Sequence, residues 1–409
     1  MGDMSRWASN AVVALMTIFI FVIPFHFNTA IQEISFYTAL FLASSLYAFK
    51  KKTITLQSPL TFPFALFVAW AFIGLFFALN KENSVHDFYA HLLKYLIIFF
   101  LLINFFQTKK QFLLLIWSTV ISMIIFSIVA VIHFYLIMGN PLSARLLYVN
   151  IPVNIISVIA IPSILLSSHQ LLKTQYLYEK IILIACIIVA AITILLTASR
   201  FTVATTLLCI LILCANHSPK TLLIPILIIL MISFLPVKER FINGNIIKEA
   251  PQEERLRLSY PFVEMVKDYP ITGVGFGMDT YADGKLVGKY NAKLSPLDKQ
   301  DQPMPYPHNT FLDIAVRLGL VGLLIFFYIA FIYFRTGWLI MRNSQDDFLK
   351  GWAFCLMVSF LALLIIGMFE SFLGFSVSII LYIQCAMMMI LWRIYSELPL
   401  QVGRNTFPQ

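Results

Sequence analysis

Residues 306–334 read YPHNTFLDIAVRLGLVGLLIFFYIAFIYF. The stretch Tyr306 to Asp313 closes the one long polar segment of the chain, and a hydrophobic run resumes at Leu318. About 20 apolar residues in a helix cross the hydrocarbon core of a bilayer. His308 therefore stands at the mouth of a membrane helix, wet on one side and apolar on the other. The same alternation of apolar run and short polar break recurs through the rest of the sequence, and it decides the class.

Of the 409 residues, 60% are hydrophobic and only 12% charged, and the mean hydropathy is +0.86. A soluble domain carries about 25% charged and 45–50% apolar residues, so the solvent here is largely lipid. Only helices satisfy their own backbone in segments this continuous. Twelve spans are expected, near 9–27, 33–49, 60–79, 90–106, 111–136, 149–168, 180–198, 201–216, 220–236, 318–334, 350–369 and 375–394. The pair 180–198 and 201–216 is the weakest division, since almost no loop separates them. The first run lacks a small-residue cleavage site and is expected to remain as the first helix. The fold class is thus an all-α polytopic membrane protein, with helices 1–9 in residues 1–236, a large outer loop over 237–317, and helices 10–12 with the C-terminus in 318–409.

The net charge of +9 follows from topology rather than from nucleic-acid binding. With both termini cytoplasmic, the inner loops carry Lys50–Lys52, Lys109 and Lys110, Lys173 and Lys180, Lys220, Arg335 and Arg342, and Arg393 and Arg404. The outer loops are poor in Lys and Arg, apart from Lys81 and Arg145, as the positive-inside rule requires. The five cysteines fall inside apolar runs, so neither a disulfide framework nor metal-ligand spacing is expected. No phosphate-cradling loop or metal–nucleotide pattern suggests a cofactor.

The outer loop is not low in complexity. Leu256, Tyr260, Val263 and Val266 at helical spacing predict an amphipathic helix on the membrane face, with Pro261 in its first turn and Pro270 at its end. Gly273-Val274-Gly275-Phe276-Gly277 has the wrong spacing for a dinucleotide fingerprint. Residues 284–306 read as an irregular crossing. Arg200, in Thr197-Ala198-Ser199-Arg200, is either a boundary residue that snorkels or an anion ligand, because guanidinium grips phosphate in a bidentate fork. Arg255 and Arg257, two apart, do not share a helix face, so at most one serves a given pocket; Arg257 is preferred. Asn309 is a plausible N-cap. A helix start disfavours a protonated imidazole, which leaves His308 as a general base or a hydroxyl-orienting group. Lys94 either snorkels or approaches an anion, and Glu82 and Glu370 are outer-edge carboxylates.

Arg257-Leu258-Ser259-Tyr260, then Tyr269-Pro270-Ile271-Thr272-Gly273-Val274-Gly275-Phe276-Gly277, then His308-Asn309-Thr310-Phe311-Leu312-Asp313 together resemble the O-antigen ligase and polymerase superfamily of bacterial envelopes. Thr197-Ala198-Ser199-Arg200 resembles its arginine-bearing helix end. The resemblance implies metal-independent glycosyl transfer from an undecaprenyl-pyrophosphate-linked glycan at the periplasmic face of the inner membrane. Arg200 and Arg257 would grip the pyrophosphate and His308 would orient or deprotonate the acceptor; Lys94, Arg255, Asn309 and Asp313 are accessory candidates. One outer loop rather than two favours a ligase acting on a lipid A core sugar. A polymerase comes second and a protein O-oligosaccharyltransferase third. A transporter or flippase is the alternative of another class, although it would place its charges at the midplane, often in repeated halves. Arg200→Lys is expected to lower transfer at least about tenfold, since a point charge cannot replace the planar fork; unchanged turnover in reconstituted vesicles favours snorkelling.

Overall fold

The computed structural model describes residues 2–25, 29–148, 153–216, 252–281, 284–296, 298–301, 303–371 and 378–405. All regular elements among them are helices: α1 Gly2–Val22, α2 Thr29–Ala48, α3 Thr61–Phe77, α4 Lys81–Phe105, α5 Lys109–Ile137, α6 Val153–Lys173, α7 Leu177–Leu196, α8 Arg200–Ala215, α9 Gln252–Asp268, α10 Lys285–Lys293, α11 Thr310–Asn343, α12 Asp347–Gly367 and α13 Ile379–Asn405. Seven of these are long and apolar enough to cross a membrane: α1, α4, α5, α7, α11, α12 and α13. Helices α3 and α8, and the part of α6 over Val158–Lys173, are apolar but shorter. Every expected span except 220–236, which lies outside the described residues, falls on a helix.

Three differences concern the polar segment expected over 237–317. The helix predicted to resume at Leu318 already begins at Thr310, so the boundary drawn at 317 cuts through α11. Pro261 sits inside α9 rather than in its first turn. Residues 285–293, expected to be irregular, form α10. Its Tyr290 and Lys293 both donate to Asp268 at the end of α9. The close pair α7 and α8 is confirmed as two helices, separated at Thr197–Ser199, where Ala198 takes φ +51°.

Helix α11 is the hub. It packs against α3, α9, α12 and α13, and it is broken at Gly319, whose φ of +68° and ψ of −179° lie outside any helix. A break inside a membrane-spanning helix is tolerated only where other groups take up the freed backbone polar atoms. Here the segment after α9 does so. Val274 N–H donates to Val316 O (2.8 Å), Gly275 N–H to Arg317 O (3.1 Å), and Leu320 N–H to Pro270 O (2.8 Å). Trp70 Nε1 of α3 takes Leu318 O at 2.8 Å. The strand-like run 270–277 is thereby strapped into the break, and the approach is close enough that a Cβ at Gly319 would lie 1.8 Å from Ile271 O.

Gly319→Ala combines left-handed strain with a backbone clash, so it is expected to destabilise by more than about 3 kcal/mol. Gly288→Ala, in α10 with nothing near the added carbon, is expected to be neutral or stabilising by up to about 1 kcal/mol. Thermal melts of both variants in detergent check the pair.

Candidate functional site

The loop 270–281 and the stretch 306–313 meet around the start of α11. Asn309 is the N-cap, as its sequence position suggested: its side chain accepts from Phe311 N–H (2.9 Å) and Leu312 N–H (3.0 Å). Its amide also donates to Met368 O (3.1 Å), just beyond α12. Thr310 Oγ1 donates to Glu370 O at 2.7 Å. The start of α11 is thus laced to the end of α12.

His308 precedes this cap with φ +48°, the left-handed region that non-glycine residues rarely occupy. Its Nδ1 faces Glu370 Oε1 at 3.5 Å, with the imidazole 28% and the carboxylate 3% exposed. The ring of Tyr306 stands edge-on at 4.5 Å. Burial, with the Glu370 charge adding to it, raises the Tyr306 phenol above its ordinary value, so Tyr306 is a neutral wall of the site. Glu370, read from the sequence only as an outer-edge carboxylate, is thereby a partner of His308.

Arg200 opens α8, half-buried. The next residue, Phe201, stacks on Phe369 with ring centroids 3.8 Å apart and planes at 18°. Phe369 adjoins Glu370, so the arginine helix end and the histidine meet on the same short segment after α12. The turn before Arg200 is anchored from the other side, where Arg145 Nε donates to Thr197 O (3.0 Å) and Leu146 N–H to Leu196 O (2.9 Å).

The remaining predicted residues are placed differently. Arg257 is half-buried on α9, and its carbonyl accepts from Gln300 Nε2 at 2.6 Å. No hydrogen bond or ion pair among the described residues joins it to Arg200 or His308. Arg255 lies in α9 as well, but its side chain is outside the described residues. Lys94 pairs with Glu33 of α2 and lies 5.4 Å from the Phe36 ring centroid. Its charge is balanced within the bundle, an arrangement that spacing along one helix could not reveal.

Asp313 is fully buried and holds a structural cluster. Arg317 Nε donates to its Oδ1 at 2.7 Å, and the hydroxyls of Tyr281 and Ser371 donate to the same carboxylate. Burial holds the Tyr281 phenol well above its ordinary value, so it stays protonated as a donor. The other guanidinium nitrogens of Arg317 reach Gly277 O and, at 3.2 Å, Met278 O. Its Cζ lies 4.8 Å from the Tyr281 ring centroid. A second buried carboxylate, Asp87, secures the same loop. It accepts from Met278 N–H and from Asn83 Nδ2 (3.2 Å), with His86 Nδ1 at 2.8 Å. Arg317 was missed in the sequence because it was read as the last residue of a loop; the signal was its i,i+4 spacing from Asp313.

Comparison with protein families matches residues 185–327 to the family described as O-Antigen ligase. That segment includes Arg200, Arg257, the run 270–277, His308 and the break in α11. No curated protein matches the chain.

Asp313→Ala leaves a buried guanidinium without its counter-charge and is expected to cost about 3–5 kcal/mol. Joining Arg317→Met to it should recover part of that loss. Chemical or thermal unfolding of the single and double variants distinguishes this structural role from a direct one at the site, for which the second change would recover nothing.

Proposed function

We propose that this chain, whose residues 185–327 match the family described as O-Antigen ligase, transfers an undecaprenyl-pyrophosphate-linked O-polysaccharide onto a sugar of the lipid A core. The site would work at the periplasmic face of the bacterial inner membrane. The observation that carries the reading is the meeting of His308, Glu370 and the Arg200 helix end on one segment at one end of the bundle.

The chemistry follows from those groups. The acceptor hydroxyl gives its proton to His308 while its oxygen attacks the anomeric carbon of the donor sugar. The bond from that carbon to the pyrophosphate oxygen breaks, and its electron pair leaves with the pyrophosphate. Glu370 at Nδ1 selects the tautomer in which Nε2 is free to accept, and it stabilises the imidazolium that forms. Arg200, with Arg257 as the second guanidinium, counters the charge gathering on the leaving group. Fixed donors in a site of low dielectric do so without reorganisation at the moment of reaction. Asn309 serves through the cap of α11. Asp313 acts through Arg317, and Lys94 is satisfied by Glu33.

One long polar loop in the sequence, where a polymerase would show two, favours transfer to the core over extension of the donor chain. Reconstitution with the lipid-linked glycan and two acceptors tests this. Product on core lipid supports the ligase, a lengthened donor supports a polymerase, and movement of the lipid without transfer supports a transporter. His308→Ala is expected to insert normally and to lose about 10²–10⁴ of the rate. Glu370→Gln should lose a smaller factor, about ten or more, in kcat rather than KM; undiminished transfer by the His308 variant removes it from the mechanism.

A further inference from the structure

The three residues after α12 form a bridge between two helix starts. Met368 and Glu370 accept at their carbonyls from the beginning of α11, the first from Asn309 Nδ2 (3.1 Å) and the second from Thr310 Oγ1 (2.7 Å), and the Glu370 carboxylate faces His308. Phe369, between them, carries its ring onto Phe201 of α8. Its backbone is fixed by the last turn of α12, since Phe369 N–H donates to Ile366 O at 2.8 Å. The start of α8 and the imidazole are thus joined through one short segment, and the ring pair is a joint on the arginine side.

This pair differs from ordinary core packing. Among the described residues, Phe201 lies on the exposed stripe of α8 with Ala204, Leu208 and Leu211, and it is itself 43% exposed, so its burial adds little to the core. The centroids are nevertheless 3.8 Å apart with the planes at 18°, closer than the 4.1 Å of the buried Tyr333–Phe360 pair. Phe201 directly follows Arg200, and Phe369 directly precedes Glu370. A shift in the stack therefore reaches both groups through one peptide bond each. Close packing transmits such a displacement, and misplacing reacting groups by about 1 Å costs on the order of 10²-fold in rate.

We propose that Phe201 and Phe369 are positioning residues: their stack fixes the Arg200 guanidinium relative to the His308–Glu370 pair, and with it the alignment of the leaving pyrophosphate with the attacking hydroxyl. The proposal rests on the transferase reading.

Glycan transfer by the full-length protein in reconstituted vesicles, with the lipid-linked glycan and both acceptors, tests it. Phe201→Ala is expected to lower kcat about 10–100-fold while changing the acceptor KM less than about twofold, because the ring acts through Arg200. Phe201→Tyr, which keeps the stacking ring, should stay within about threefold of the native rate. A cycle with Arg200→Lys separates positioning from general damage: once the fork is gone, Phe201→Ala should cost less than about threefold more, whereas a structural loss costs the same factor in both backgrounds. Native-like kcat in Phe201→Ala, a Tyr variant as impaired as the Ala one, or equal losses in the two backgrounds overturns the proposal while His308→Ala is still inactive. Should Phe201→Ala fail to fold, Phe201→Leu, which keeps apolar bulk without the ring, carries the same cycle with the same expectations. Full transfer by His308→Ala, or none by the native protein to either acceptor, overturns the transferase reading and this proposal with it.

Discussion

The pair between Asp313 and Arg317 is the interaction on which the end of the bundle around the start of α11 depends. Both side chains are withdrawn from solvent, at 0% and 6% exposure, where an unpaired charge would cost several kcal/mol. Such a pair holds only if the remaining lone pairs and protons are also met. Tyr281 and Ser371 meet those of the carboxylate, and the carbonyls of Gly277 and Met278 meet those of the guanidinium. Three separated parts of the chain are therefore fixed by one electrostatic requirement: the first turns of α11, the loop between α9 and α10 that carries Gly277, Met278 and Tyr281, and the segment after α12.

The break at Gly319 has the same logic in backbone terms. A helix interrupted in the buried interior must surrender its free carbonyls to something, and the run 270–277 is shaped to receive those of Val316 and Arg317. Its glycines permit the approach: Gly273 has φ +68°, and a Cβ there would lie 2.4 Å from the carbonyl carbon of Arg317. The motif that looked like a nucleotide loop without the right spacing is thus a splint. It binds protein backbone, and by holding α11 it sets where His308 stands relative to Glu370.

How much of this was legible in the sequence depends on the dimension of the constraint. The thickness of a bilayer acts along one axis, so apolar run length alone anticipated where helices fall, and seven of those in the described residues are long and apolar enough to cross a membrane. Cap chemistry is equally local, and Asn309 could be identified from its place before an apolar run. Glu370, Glu33 and Ser371 could not be assigned, because their partners come from other helices and only packing brings them near. Arg317 fell between the two cases: the i,i+4 relation was visible, but reading the residue as loop hid it. Pro261 was misplaced for a related reason, since a proline rule for isolated helices yields to the contacts of α9 with α10 and α11.

His308 has a left-handed backbone as well as an imidazole, and the two properties pull in opposite directions. The conformation would suit glycine best, yet only the ring can hold a proton opposite Glu370. On the proposed reading, stability at this position is therefore opposed to turnover. Glycine there would relieve the backbone and would remove the group proposed to take the acceptor proton.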